Sequence, residues 1–204
     1  MSRLPDSLAA IAEAPMVVPL PSDGSEVMRY KPSMSGPSSG GLIARYQVTI
    51  TSTPGAVSGF AMASYQTTKE AAAAVAADGL GLSFPTSSTS VAIGSDIVAH
   101  AGRIGSEDVL AWQEGQWKVV VGEANNLPMT DAEIMAAYLH THFLPAPQPV
   151  GTGRGTIQVM VENHGINADV VWQENRSLYQ VRTYPAAQDG VLAALSMAVN
   201  MQKY

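Results

Sequence analysis

The tripeptide Trp-Gln-Glu occurs twice in this chain, at residues 112–114 and 172–174. Around it, Val109-Leu110-Ala111-Trp112-Gln113-Glu114-Gly115 lines up with Asp169-Val170-Val171-Trp172-Gln173-Glu174-Asn175. Gly and Asn are the residues that most readily take the positive φ of a tight turn, so each copy reads as a strand running into a hairpin. A strand with an aromatic residue and valine follows in both, Trp117-Lys118-Val119 and Tyr179-Gln180-Val181, and a helical stretch comes later. A strand–turn–strand–helix unit present twice constrains the fold more than any other feature, and duplication of one module is its simplest cause.

The same grammar recurs elsewhere. Tyr46, Val48 and Ile50 alternate within 42–50 and predict a strand; Thr53-Pro54-Gly55 turns the chain and 57–65 returns it. Thr67 and Glu70 form a capping-box pattern ahead of an alanine-rich helix to Ala77, and Asp78-Gly79 stops it. Residues 90–100 and 109–112 predict strands. Thr130-Asp131-Ala132-Glu133 repeats the capping pattern before a helix to about Phe143, with an apolar stripe at Ile134, Met135, Tyr138, Leu139 and Phe143. Strands follow at 156–161, 168–173 and 178–184. Pro185 then stands where a first helical residue often does, and Val191, Leu192, Leu195, Met197 and Val199 mark the buried positions of a last helix. The expected class is α+β: one or two antiparallel sheets built from repeated β-hairpin–helix modules, with helices packed on one face. A sandwich with helices on both faces is the close alternative. The β-β-α order with short hairpins favours antiparallel pairing over βαβ crossovers.

Punctuation divides the chain. Residues 1–41 are rich in Pro and Gly, with a short amphipathic helix expected over 6–14, an extended segment over 16–21 and a flexible loop over 33–41. Residues 42–144 hold the first β-β-α modules, 145–155 a Pro/Gly linker and 156–204 the C-terminal module, which could form one compact unit with 42–144.

Composition removes several function classes. Only 14% of the 204 residues are charged, against roughly a quarter in average soluble domains, while 46% are hydrophobic; this is no disordered chain. Cysteine is absent, which excludes disulfides and thiolate metal sites. Eleven Lys and Arg against seventeen Asp and Glu leave no basic footprint for nucleic acid. No apolar run is long enough to span a bilayer. A surface kept soluble by Ser, Thr, Gln, Asn and Gly suits an extracytoplasmic protein. The apolar stretch 8–20 is interrupted by Glu13, Pro15 and Pro19 and makes a poor signal-peptide core, so export would rely on a leader outside these residues.

The candidate binding residues are those of the repeat: Trp112, Glu114 and Trp117, with Trp172, Glu174 and Tyr179. The rings read first as core anchors and second as an aromatic binding face. Two glutamates at equivalent turns would serve a glycosidase only if they faced one another across a cleft. His140 and His142 are two apart and diverge on a helix, and no metal-ligand spacing occurs. Gly151-Thr152-Gly153-Arg154-Gly155 follows prolines and precedes a strand, the reverse of a phosphate loop. No serine-nucleophile motif is present, Asn175-Arg176-Ser177 matches a glycosylation sequon, and the scattered methionines read as core filler. Neither a catalytic residue, a metal nor a cofactor is expected.

The two modules, Leu110–Val121 with Thr130–Leu144 and Val170–Val181 with Ala186–Val199, resemble the C-terminal sheet modules of uncharacterised Gram-positive exported lipoproteins and anti-sigma-factor ectodomains. The resemblance covers under half the chain and implies an extracytoplasmic sensing or binding domain without catalytic residues; the anchor cysteine of a lipoprotein is missing. The leading expectation is therefore a non-catalytic exported domain that binds a protein or cell-envelope component, or assembles. A carrier of an apolar ligand held between sheet and helices, lined by Trp, Tyr and Met, comes next. A glycan- or peptide-acting hydrolase comes third.

Overall fold

A computed structural model describes residues 9, 12–25, 29–78, 80, 82–93, 97–124, 126, 128–142, 144–145 and 154–203. The strands are β1 (Glu13–Pro15), β2 (Arg29–Ser35), β3 (Leu42–Thr51), β4 (Ala56–Tyr65), β5 (Ser88–Ile93), β6 (Ile97–Ile104), β7 (Glu107–Glu114), β8 (Trp117–Ala124), β9 (Gly155–Glu162), β10 (Gly165–Glu174), β11 (Ser177–Thr183) and β12 (Met201–Lys203). The helices are α1 (Thr68–Ala77), α2 (Met129–Thr141) and α3 (Gly190–Val199). Ten strands form one sheet in the order β2-β3-β4-β11-β10-β9-β8-β7-β6-β5, while β1 and β12 pair with each other.

Strands from 42–144 and 156–204 interleave in that sheet, because β11 lies against β4 and β9 lies against β8. The sheet is mixed. Every pairing is antiparallel except β8 with β9, which is parallel. This corrects the expectation of a purely antiparallel sheet. A parallel neighbour requires the chain to return to the end where β8 began, and α2 with the proline-bearing stretch after it makes that crossover.

Helices cover both faces, which corrects the expectation of a single covered face. Neighbouring residues on a strand point to opposite sides. Val170 and Trp172 pack with Ala194 and Leu195 of α3 and Ala132 and Met135 of α2, whereas Val171 packs with Ala71 and Val75 of α1. We call these the inner and outer faces. The inner face is almost wholly apolar. The outer face carries α1 and the segment 82–87 that leads from it to β5. β4 and β5 are seven strands apart in the sheet, about 34 Å at ~4.8 Å per step, so this connection must travel across the outer face.

Local chemistry explains most boundaries. Thr67 Oγ1 accepts from the Glu70 amide and the Glu70 carboxylate accepts from the Thr67 amide, the reciprocal cap read from the sequence. The cap expected at Thr130 does not form. α2 starts at Met129 behind Pro128, two residues earlier than such a cap implies, placing Thr130 inside the first turn. Pro185 likewise does not begin a helix: α3 starts at Gly190 after Asp189, which sits at φ 48°. Residues 90–100 divide into two strands of a hairpin, β5 and β6. The expected loop over 33–41 is shorter, because Ser33, Met34 and Ser35 belong to β2; Pro32 is tolerated there since β2 is an edge strand. In the stretch expected to be a helix over 6–14, Glu13 and Ala14 are strand, Ala9 is helical and 6–8, 10 and 11 lie outside the described residues. The segment 16–21 is extended as expected, laid along the turn before α3 through Gln188 N to Leu20 O (2.8 Å) and Ser22 N to Ala186 O (2.8 Å).

A candidate ligand groove on the outer face

The two Trp-Gln-Glu segments occupy like positions. Each ends a strand, β7 or β10, and each enters a hairpin whose first loop residue is left-handed, Gly115 at φ 56° and Asn175 at φ 55°. Each glutamine donates to the carbonyl of that loop residue: Gln113 Nε2 to Gly115 O at 2.8 Å and Gln173 Nε2 to Asn175 O at 2.7 Å. The aromatic residues of the returning strands are not equivalent, however. Val119 stands opposite Trp112, whereas Tyr179 stands opposite Trp172, so Trp117 corresponds in register to Ser177.

These rings build the inner core. Trp112, Trp117, Trp172 and Tyr179 are all buried, with Trp117 6.3 Å from Trp172 and Trp172 stacked on Tyr179 at 5.4 Å. No ring face is free for a ligand, and the expected binding face is filled by packing. The Trp172 indole donates to Glu174 at 3.0 Å, while the Trp112 indole nitrogen has no partner among the described residues. Burial, with help from Glu13 and Glu174, pushes the Tyr179 phenol well above its ordinary range. Glu114 and Glu174 do not form a carboxylate pair. Three interstrand steps separate their hairpins, about 14 Å, beyond the ~5–10 Å over which a glycosidase works.

The polar chemistry lies on the other side of the same strands. A half-open groove of ≈ 930 Å³ runs between α1, segment 82–84 and the outer faces of β7, β8 and β9. Register fixes its floor: Gln113 stands opposite Lys118, Lys118 opposite Thr156, and Val120 opposite Gln158. Val75 and Ala76 of α1 form one wall, and Leu82, Ser83 and Phe84 another. Gly115, Gln116, Arg154 and Gly155 close the hairpin end. Gln158 holds the second wall in place. Its amide oxygen accepts from Leu80 N (2.6 Å) and its amide nitrogen donates to Leu82 O (2.8 Å). Leu82 rests in turn over Gly122, where a Cβ would come within 3.5 Å of it.

Beside the groove, across β10 and β11, runs a charged network. Asp169 is fully buried and accepts from Gln180 (3.0 Å) and Arg182. Arg45 reaches both Gln180 (2.7 Å) and Asp78 (2.7 Å), tying the end of α1 to β3 and β11. Burial raises the Asp169 pKa even against the pull of Arg182. For Arg182 burial works the other way, but Asp169 and Tyr184 outweigh it and hold the guanidinium charged. Every charge here is spent on a protein partner, so the network reads as a brace.

Sequence reasoning missed both features. The signal was present as the polar half of each alternation: Lys118 between Trp117 and Val119, Gln180 between Tyr179 and Val181, Asp169 before Val170. The glycine-rich stretch read as a linker ends at Arg154 and Gly155 on the groove; residues 151–153 lie outside the described structure. His142 stacks on Tyr138 (3.9 Å), His100 lies 3.3 Å from Ser88 Oγ, and no cluster of three or more His, Asp or Glu able to hold a metal occurs among the described residues. No helix of the described structure is long and apolar enough to cross a membrane.

Fold and site together define a mixed-sheet protein with helices on both faces and an open, polar-ended groove. Compared with known proteins, the chain matches no family model, no curated protein and no solved structure.

Proposed function

We propose that this protein is a non-catalytic binding domain that works outside the cytoplasm, and that its ligand site is the outer-face groove. The observation that carries this reading is the groove itself, ≈ 930 Å³ and half open, a size and form suited to small-molecule sites. Its lining combines apolar walls with amide, hydroxyl and cationic groups, and no carboxylate lines it among the described residues. That leaves no carboxylate pair of the kind a glycosidase uses among the described lining residues. The ligand does not sit among Trp, Tyr and Met, which fill the inner core instead. The sparse charge of the chain supports an extracytoplasmic setting, as does the resemblance to exported sheet modules.

Duplication of a hairpin–helix module remains part of this reading. The shared turn conformation and the shared glutamine-to-turn hydrogen bond support it. After duplication the two copies took different outer faces, one lining the groove and the other the charged brace.

A second reading, docking of a protein partner, is favoured by one feature. Edge strand β2 is exposed along its length, with Tyr30 and Met34 presenting apolar surface. Blocking the groove separates the two. Ala76 is exposed on α1 at the groove wall, so Ala76→Trp should fill the space without disturbing the core. Small molecules found by thermal-shift screening should stop stabilising that variant. Stabilisation unchanged in Ala76→Trp would place the ligand elsewhere and remove the groove reading.

A further inference from the structure

The groove is graded along its length. At one end Val120 and Leu82 pack with Phe84, and Val75 lines the same groove; at the hairpin end stand Lys118 and Arg154. Lys118 and Val120 are two residues apart on one strand face, about 7 Å, so cation and apolar floor are adjacent. Thr156, opposite Lys118, has a hydroxyl without a partner among the described residues. The ion pairs among the described residues are Arg45–Asp78, Arg103–Asp108 and Arg182–Asp169; Lys118 and Arg154 take part in none. In a chain of net charge −6, two cations without an ion pair among the described residues line a groove in which no described lining residue is acidic.

Resting on the groove as the ligand site, we infer that its ligand is a small amphipathic anion. A carboxylate, sulfate or phosphate head sits between Lys118 and Arg154, and an aliphatic or aromatic body lies against Leu82, Phe84 and Val120. The field at the cationic end draws an oxyanion despite the acidic net charge. Both cations are exposed, so each contact carries the modest weight of a solvent-screened charge pair. The apolar walls supply the remaining affinity through burial of the body.

The test uses the full chain and octanoate as probe, with octanol as its uncharged counterpart, acetate as the head alone, and anionic phosphatidylglycerol vesicles as a lipid-surface arm. Binding is followed by calorimetry and by backbone NMR shifts. Octanoate should shift groove resonances and bind more tightly than octanol, and acetate should bind far more weakly. Lys118→Gln and Arg154→Gln should each weaken octanoate about fivefold and leave octanol unchanged, the size expected for one partly exposed charge contact. Both side chains are exposed, so the variants fold. Equal binding of octanoate and octanol, with the charge variants silent, would overturn the anionic assignment while leaving the groove as a ligand site. No shift at groove residues with any probe would remove both. Vesicle binding without monomer binding would replace the groove ligand by a membrane surface and overturn the inference.

Discussion

Trp112 and Trp172 allow one substitution to be made twice in matched surroundings. Both are fully buried, at 1% and 0% exposure, both precede Gln-Glu, and both pack on the inner face. Replacing either indole by phenyl removes the same atoms, so the loss from transfer and cavity is common, on the order of 1–2 kcal/mol. The polar terms differ. At 172 the indole N–H donates to Glu174, and losing a bond to a charged acceptor costs about 1.5–3 kcal/mol when buried. Glu174 is only half buried, so about 1 kcal/mol is the better figure. At 112 the N–H has no partner among the described residues, a burden of about 1–3 kcal/mol that phenyl removes. Trp172→Phe should therefore lose about 2–3 kcal/mol and Trp112→Phe no more than about 1 kcal/mol. For a chain of this size the difference amounts to roughly 5 °C in Tm. Urea unfolding followed by far-UV circular dichroism keeps the readout independent of the tryptophan removed. Equal losses, or a larger loss at 112, would refute the assignment of the indole hydrogen bonds.

Three further outcomes are expected. Gln158→Leu removes the bonds that hold segment 80–82 over the sheet, so stability should fall by about 1–3 kcal/mol and hydrogen exchange at Leu82 should accelerate; unchanged exchange would show that the wall stands without it. Gly115 sits at φ 56° with open space beyond it, so only backbone strain opposes a side chain: Gly115→Asn should unfold close to wild type in urea and Gly115→Val should lose about 1–2 kcal/mol. Asp169 has a folded-state pKa raised by burial above its ordinary 3.8, so the native state holds this proton more readily than the unfolded chain. Stability contributed by its protonated form is lost as pH climbs through the folded pKa; Asp169→Asn should therefore gain stability relative to wild type as pH rises from about 4, and a flat or falling difference in urea titrations across pH would refute this.

Much of the strand layout was legible because hairpins write their own sequence. Gly115 and Asn175 announced turns, and the alternation around Val119 and Val181 announced strands. What could not be read was the order of strands in the sheet. Nothing in β8 or β9 marks them as parallel neighbours, since parallel pairing is decided by where α2 and the following chain deliver β9. The capping box at Thr67 was legible because both of its members lie within one turn. The false cap at Thr130 had the same letters, yet Pro128 fixed the chain earlier and the helix began behind it. Local chemistry decides such points only where no stronger constraint stands next door.

The groove was illegible for a different reason. Attention falls on Trp, Glu and Tyr in the repeat because they recur there, and in a half-buried strand the large aromatic faces the core. Here β8 and β11 are covered on both sides, so neither face is fully solvated and alternation does not separate inside from outside. It separates an apolar inner layer from an outer layer of Lys118, Gln158, Gln180, Asp169 and Arg182. Such residues usually mark the wet side of a sheet. Gln158, Gln180 and Asp169 are nonetheless buried, while Lys118 stays exposed, because the connection from β4 must cross about 34 Å of this face to reach β5. That crossing strand of chain needs hydrogen-bond partners wherever it touches the sheet, and Gln158 supplies them. Where it stands away from the sheet, Lys118 takes part in no ion pair and the Thr156 hydroxyl has no partner among the described residues, and a groove results. The topology that hides the site from the sequence is thus the same feature that creates it.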